Sequence, residues 1–91
     1  MPVKEFEVEA ALLVNEGGVQ CVPLVFARPR GGDGRVELGR DPFLGEARVV
    51  ALDPARAGAR GPGLVAFVLD DPMDTRTFQP GDVVRLESRT R

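Results

Sequence analysis

The sequence predicts an all-β fold, a small six-stranded antiparallel β-barrel, for this chain of 91 residues. Three observations predict it. Apolar and polar side chains alternate over residues 5–14, the later apolar runs are short, and 11 glycines and 8 prolines interrupt the chain too often for long helices. A chain of this length holds one hydrophobic core, so we expect a single domain over residues 1–91. Closing the strands into a barrel would leave no edge open to other chains.

The first strand has the clearest pattern. One face carries Phe6, Val8, Ala10, Leu12 and Val14, and the other carries Glu5, Glu7 and Glu9. This alternation predicts a half-buried strand with one face on the core. In residues 15–18 (NEGG), the asparagine and the two glycines tolerate the positive φ of a tight turn, so Val19–Ala27 is predicted to form an antiparallel second strand. Pro23 cannot donate a ladder hydrogen bond and must face a sheet edge or a bulge.

Short apolar runs predict the rest of the barrel. After a loop at Pro29–Gly34, the predicted strands are Arg35–Leu38, Ala47–Leu52, Leu64–Leu69 and Val83–Ser88. The run Leu64–Leu69 is apolar on both faces, which is typical of a central, fully buried strand. Gln79–Asp82 places proline and glycine at the centre of a type II turn before the last strand.

At most one short helical turn is predicted, near residues 54–58. Asp53 is the expected N-cap and Pro54 the first helical residue. The glycines that follow, at positions 58, 61 and 63, are expected to stop it. Asp70–Thr77 is predicted to be an acidic connection.

The residue types argue against an enzyme. The chain has no histidine, which excludes histidine bases and most zinc sites, and one cysteine, which excludes an intrachain disulfide. Cys21 lies in a predicted strand and is expected to be a small buried side chain. Asp70, Asp71 and Asp74 offer oxygens to Ca²⁺ or Mg²⁺, but no glycine gives the turn of a calcium loop, so a solvated loop is favoured. We expect no catalytic residue, no metal and no cofactor.

The location and the partner classes follow from charge and hydropathy. Leu64–Leu69 is the longest apolar run, far shorter than a membrane span, and the N-terminus lacks a secretion signal. A cytoplasmic protein is therefore expected. The net charge of −2 predicts no general attraction to DNA or to a membrane surface.

Four arginines flank the glycine-rich loop and are the candidate binding residues. They are Arg28, Arg30, Arg35 and Arg40. Such a group can bind phosphate or carboxylate groups. The loop Gly31–Gly34 lacks the Gly-Lys-Ser/Thr of a phosphate-binding loop, and the chain has no tryptophan or tyrosine on which bases could stack. A charged rim without a ligand is the alternative interpretation.

The segment FEVEAALLVNEGGVQCVPLVFARPRG resembles the opening hairpin of the third, C-terminal β-barrel domain of elongation factor Tu. In that family an acidic alternating strand leads into a Gly-Gly turn, and a proline-containing second strand ends in Arg-Pro. The matching positions here are Glu16, Gly17, Gly18, Pro23, Arg28 and Pro29. The segment Pro80–Arg89 resembles the closing strand of the family.

The resemblance covers the first hairpin well and implies a fold more than an activity. In elongation factors this barrel contacts aminoacyl-tRNA and the nucleotide-exchange partner within the assembled protein. Here Arg30–Gly34 replaces the aromatic strand that follows Arg-Pro in the family. The GTPase and middle domains have no counterpart, so a stand-alone domain is expected and GTP hydrolysis is not implied.

Three functions remain open from the sequence. The leading one is a non-enzymatic protein-interaction module of the translation-factor-barrel type, which binds an unknown protein or a second copy of itself through a strand edge or a loop. The alternative is weak binding of RNA or tRNA by the four arginines. An enzyme that uses carboxylates alone is the least favoured.

Overall fold

The computed structural model describes residues 4–18, 20–31 and 35–89. Its strands are β1 Lys4–Glu16, β2 Gln20–Pro29, β3 Pro42–Leu44, β4 Ala47–Leu52, β5 Val65–Leu69 and β6 Val83–Ser88. They close into a barrel in the order β1-β2-β5-β4-β3-β6, with every neighbouring pair antiparallel. The predicted six-stranded barrel is confirmed. None of the helices in the described ranges has the length and hydropathy to cross a bilayer.

The barrel interior is filled by apolar side chains from all six strands. Its buried members are Phe6, Val8, Val25, Ala27, Leu44, Ala47, Val49, Phe67, Leu69, Phe78 and Leu86. At its centre the Phe6 and Phe67 rings meet edge to face, with centroids 5.0 Å apart and planes at 86°. β5 lies between β2 and β4, and its buried residues point to both faces, as predicted for a central strand. Phe67 and Leu69 point inward and Ala66 outward, while Val65 and Val68 are half-buried.

A β-bulge in β1 corrects the prediction that one face of this strand lies on the core. Val8 is opposite Ala27 and Ala10 is opposite Phe26, so Glu9 is an extra residue. The bulge reverses the alternation along the strand. Phe6 and Val8 point into the barrel, but three apolar side chains after the bulge join a second cluster on the outer surface. That cluster is centred on Leu24, Phe26, Ala57 and Ala66, and Ala10, Leu12 and Val14 pack against it.

The third strand is not where the sequence predicted it. Residues 35–39 form no strand, and β3 is Pro42–Leu44, where no strand was predicted. The alternation in Arg35–Leu38 has a different cause. Val36 and Leu38 pack against the interior core where the chain crosses from β2 to β3 at one end of the barrel, and no neighbouring strand pairs with this segment. A strand also needs a partner, which alternation alone does not supply.

The predicted helical turn exists and extends further than expected. In helix α1, Pro54–Arg60, the Asp53 side chain accepts a hydrogen bond from the Arg56 N–H at 3.1 Å, and Pro54 is the first residue. The helix continues through Gly58 because Ala57 is buried against the outer sheet face, which offsets the cost of about 1 kcal/mol for a helical glycine. A 3₁₀ helix, Pro72–Thr77, occupies the predicted acidic connection.

Two predicted positions in β2 and one turn have clear outcomes. The Arg30 N–H donates a hydrogen bond to the Glu5 carbonyl of β1. Backbone nitrogens along a strand point alternately to its two sides, so the nitrogen of Pro23, seven residues away, faces the β5 side. Pairing between β2 and β5 begins only at the next residue. Its predicted position at a sheet edge is confirmed.

The prediction that Cys21 is buried is wrong, because β5 does not extend far enough to cover it, and Cys21 is exposed. Gly81, with φ +94°, lies in the predicted type II turn, which the Asp82 N–H closes onto the Gln79 carbonyl at 3.0 Å. The predicted start of strand 2 at Val19 lies outside the described residues.

Candidate interaction surface

The first hairpin extends beyond the barrel. β6 pairs with β1 only over residues 4–7, and β5 pairs with β2 only over residues 24–27. The remaining parts of the two long strands pair only with each other. We call residues 10–16 and 20–23 the hairpin arm. The bulge at Glu9 lies at its base and turns its apolar outer face toward helix α1.

The outer face of the arm and helix α1 together form an apolar groove. It has a volume of about 290 Å³ and is shallow and open to solvent. Its lining residues are Leu12, Val14, Leu24, Phe26, Arg56, Ala59 and Arg60. The sheet provides the floor, and the helix provides one wall. An open groove of this size fits a few side chains of a partner better than an enclosed small molecule.

Two arginines of α1 give the groove a basic rim. The guanidinium carbon of Arg60 lies 4.9 Å from the centroid of the Phe26 ring, a cation–π distance. Arg56 forms an ion pair with Asp53, Nε to Oδ2 at 3.3 Å, and both side chains are mostly buried. Among the described residues, no carboxylate lies within ion-pair distance of Arg60. The rim therefore presents a positive charge with hydrogen-bond donors available beside an apolar floor.

The arm also has an open backbone edge along β1. The last main-chain bonds between β1 and the segment before β6 are made by Val8, which donates to Asp82 at 2.8 Å and accepts from Gly81 at 2.8 Å. Beyond the bulge, Ala10, Leu12 and Val14 lie opposite the residues of β2 whose backbone faces β1. By alternation, Ala11, Leu13 and Asn15 direct their N–H and C=O groups away from β2. Within the described ranges these groups have no partner strand.

The barrel topology distributes the four predicted arginines around one end of the barrel. Arg28, on β2, donates from Nε to Glu9 at 3.1 Å and from Nη1 to the Pro62 carbonyl at 3.0 Å. Arg30 directly follows β2 and is exposed. Arg40 precedes β3, three places from β2 in the ring of six strands. Arg28 and Arg40 therefore lie on opposite sides of the barrel.

The segment that carries the other two arginines is tied to β1 and β6. The Arg35 carbonyl accepts a hydrogen bond from Lys4 Nζ, and the Arg40 carbonyl accepts one from Ser88 Oγ. The backbone is thus fixed while both arginines remain exposed. The predicted loop Gly31–Gly34 lies outside the described residues from position 32 onward.

Sequence analysis missed one arginine with a dense set of contacts. Arg89 follows β6, and its guanidinium carbon lies 4.4 Å from the centroid of the Phe43 ring. It donates to the Gly45 carbonyl at 2.8 Å and pairs with Glu46 and Glu87, each at 3.2 Å. The pKa of Arg89 is raised above its usual value, mainly by the hydrogen bond to Glu46. Residues close to Arg89 in the chain do not indicate most of these contacts, because Phe43, Gly45 and Glu46 belong to β3 and the turn that follows it.

The acidic cluster has a structural explanation. Asp71 caps the 3₁₀ helix, where its Oδ1 accepts a hydrogen bond from the Met73 N–H at 2.9 Å. The Asp74 carbonyl accepts from the Thr77 hydroxyl at 2.8 Å. Among the residues that the structure describes, no three acidic or cysteine side chains are grouped so that they could hold a metal ion.

Comparison with known proteins adds no relative. No model of a protein family, no curated protein and no solved structure matches this chain. The relationship to the third domain of elongation factor Tu stays a prediction.

Proposed function

We propose that this chain is a non-enzymatic protein-interaction module that binds an extended, acidic and apolar segment of a partner protein in the groove beside α1. The observation that carries the proposal is the combination of an apolar floor with a basic rim on the outside of the barrel. Phe26 is 4% exposed at the bottom of this groove, and Arg60 lies above its ring. Apolar anchors in a pocket with a charged rim are typical of protein interfaces.

The positive charge of the groove rim determines which class of partner can bind. Helix α1 has the sequence PARAGAR, which contains two arginines and no acidic residue. An acidic residue in the partner could pair with Arg60 at the groove edge while apolar side chains contact Leu12, Val14 and Leu24. A basic partner would place like charges together. Like-charge contacts discriminate strongly against the wrong partner.

The first experiment compares two short synthetic peptides by NMR titration of the ¹⁵N-labelled protein. One alternates leucine and glutamate, and the other alternates leucine and lysine. We expect the acidic peptide to shift the amide signals of the groove residues, and the basic peptide to have little effect. Equal binding of both peptides, or shifts at residues remote from the groove, would contradict the proposal.

Two matched charge-reversal variants distinguish binding at the groove rim from long-range electrostatic attraction. Arg60→Glu reverses the charge at the groove, and Arg76→Glu makes the same change at an exposed position on the 3₁₀ helix. We expect Arg60→Glu to weaken binding of the acidic peptide by about tenfold, because an attractive contact becomes repulsive. Arg76→Glu should leave it nearly unchanged. Equal weakening by both variants would indicate long-range attraction instead of a site.

A further inference from the structure

The open edge of the hairpin arm differs from the other edges in the molecule. Proteins protect exposed strand edges with proline, with charged residues or with a covering segment. Residues 10–15 of β1 (AALLVN) contain no proline and no charge. The opposite edge of the arm, on β2, is protected by Pro23, which faces that side. Nothing in the chemistry of the β1 edge prevents another strand from pairing with it.

We propose that a second copy of this chain occupies the edge, so that two hairpin arms pair through β1 in an antiparallel, twofold-symmetric dimer. This edge adjoins the groove of the proposed function, and neither proposal requires the other. The edge-facing positions are Ala11, Leu13 and Asn15, spaced evenly about Leu13. A twofold axis beside Leu13 therefore pairs Leu13 with Leu13 of the second copy, and Ala11 with Asn15 in both directions. All three pairs would be hydrogen-bonded pairs, because each residue directs both backbone groups to the edge.

The side chains at this edge also match a second copy. Leu13 is a large apolar residue that is 49% exposed. In the proposed dimer the two Leu13 side chains lie next to each other on one face and shield each other from water. On the other face, Leu12 of each copy lies opposite Val14 of its partner, which makes the apolar floors of the two grooves continuous. The acidic residue nearest to the axis, Glu16, would lie opposite Ala10 in this register, so no like charges meet.

A twofold interface of this kind is self-complementary, which is the commonest symmetry of soluble oligomers. The paired segment is short, so the interface is smaller than that of an obligate dimer. We therefore expect a dimer that dissociates on dilution.

The test is sedimentation equilibrium of the whole chain from low micromolar to millimolar concentration. We expect the weight-average mass to rise from monomer toward dimer and no further, because the interface closes on itself. Leu13→Lys places two lysines opposite each other at a Cα separation of about 5.5 Å, that of a hydrogen-bonded pair, and the repulsion between their charges should keep the chain monomeric. Val83→Lys is the matched control, because Val83 is also about half exposed but lies on β6, outside the edge. It should associate as the wild type does.

A cross-linking experiment tests the register without relying on the lysine variant. In a Cys21→Ser background, Leu13→Cys places two thiols at the twofold axis, where the Cα separation suits a disulfide. We expect oxidation to give a covalent dimer, whereas Val83→Cys in the same background should form no covalent dimer. A wild type that remains monomeric at millimolar concentration would overturn the proposal. Association that Leu13→Lys does not reduce, or cross-linking that is equal at both positions, would overturn it as well.

Discussion

The bulge at Glu9 determines which side chains of β1 enter the barrel, and deleting this residue tests that role. In the structure, Val8 lies opposite Ala27 and Ala10 opposite Phe26, with Glu9 as the extra residue. Removing Glu9 therefore leaves a regular antiparallel ladder in which every other residue keeps its partner and its face. The main loss is the Arg28–Glu9 ion pair, whose side chains are 52% and 41% exposed. An exposed pair contributes about 0.2–1 kcal/mol, so we expect the free energy of unfolding to fall by about 1 kcal/mol.

Deleting Glu7 is the matched control, because this glutamate lies in the regular part of the same strand. Without Glu7, either Phe6 turns out of the barrel or Glu9 takes the interior position of Val8. Phe6 is 0% exposed, and the loss of a buried phenylalanine costs about 3–5 kcal/mol. That is a large share of the roughly 5–10 kcal/mol expected for a domain of this size. We expect this variant to be largely unfolded, or to melt far below the wild type.

The assay is urea denaturation followed by circular dichroism, with thermal melting as a second measurement. For a domain of this size, 1 kcal/mol corresponds to about 4–8 °C in Tm. Glu9→Ala removes the ion pair without shortening the chain, and it should match the Glu9 deletion to within about 1 kcal/mol if the residue is only an insertion in the ladder. The reasoning is refuted if deletion of Glu9 is as damaging as deletion of Glu7.

Four further predictions test other features. Gly58→Ala in α1 should stabilise the protein by about 0.5–1 kcal/mol in urea denaturation, because nothing lies within 4 Å of the added Cβ and alanine favours a helix. Gly81→Ala should destabilise it by about 1–2 kcal/mol in the same assay although its Cβ is also unobstructed, because φ is +94°. Leu38→Ala should lower the free energy of unfolding by about 1–2 kcal/mol and Glu37→Ala by less than about 0.5 kcal/mol, since only the leucine packs on the core. Equal effects of the two substitutions would contradict the placement of residues 35–39. If the four arginines flanking the loop bind RNA, the logarithm of the binding constant should fall with the logarithm of the salt concentration, with a slope of about −0.7 to −0.9 per phosphate contacted. In a filter-binding assay, a short single-stranded RNA should show a slope shallower than about −2, because arginines on opposite sides of the barrel cannot contact it together.

Much of this fold could be predicted from residues that are close together in the chain. The alternation of the first strand, the Pro-Gly turn at residues 79–82 and the capping of α1 by Asp53 each depend on residues close together in the chain. These signals were enough to predict a six-stranded barrel. They failed at Arg35–Leu38, where alternation reflects packing of two side chains onto the core instead of strand pairing. They also failed at Cys21, whose exposure depends on where β5 ends.

The candidate surface is much less visible in the sequence. The apolar residues of the groove come from two strands and a helix, and the pattern of β1 placed Leu12 and Val14 in the interior. The arginines predicted to bind near the loop lie around the barrel end. Arg60, which lies in the groove, is beyond the helical turn predicted for residues 54–58. The open edge at Leu13 depends on β6 pairing only with the first part of β1.

By itself, the sequence determined the all-β class, the turns and the absence of histidine chemistry, because these depend on composition and on neighbours in the chain. Only the tertiary structure decided that one extra residue, Glu9, divides β1 between two clusters. It also decided that the first hairpin extends past its neighbours, since the length of a strand pairing depends on where distant strands end. The apolar groove follows from the bulge, and the open edge follows from the mismatch in strand length.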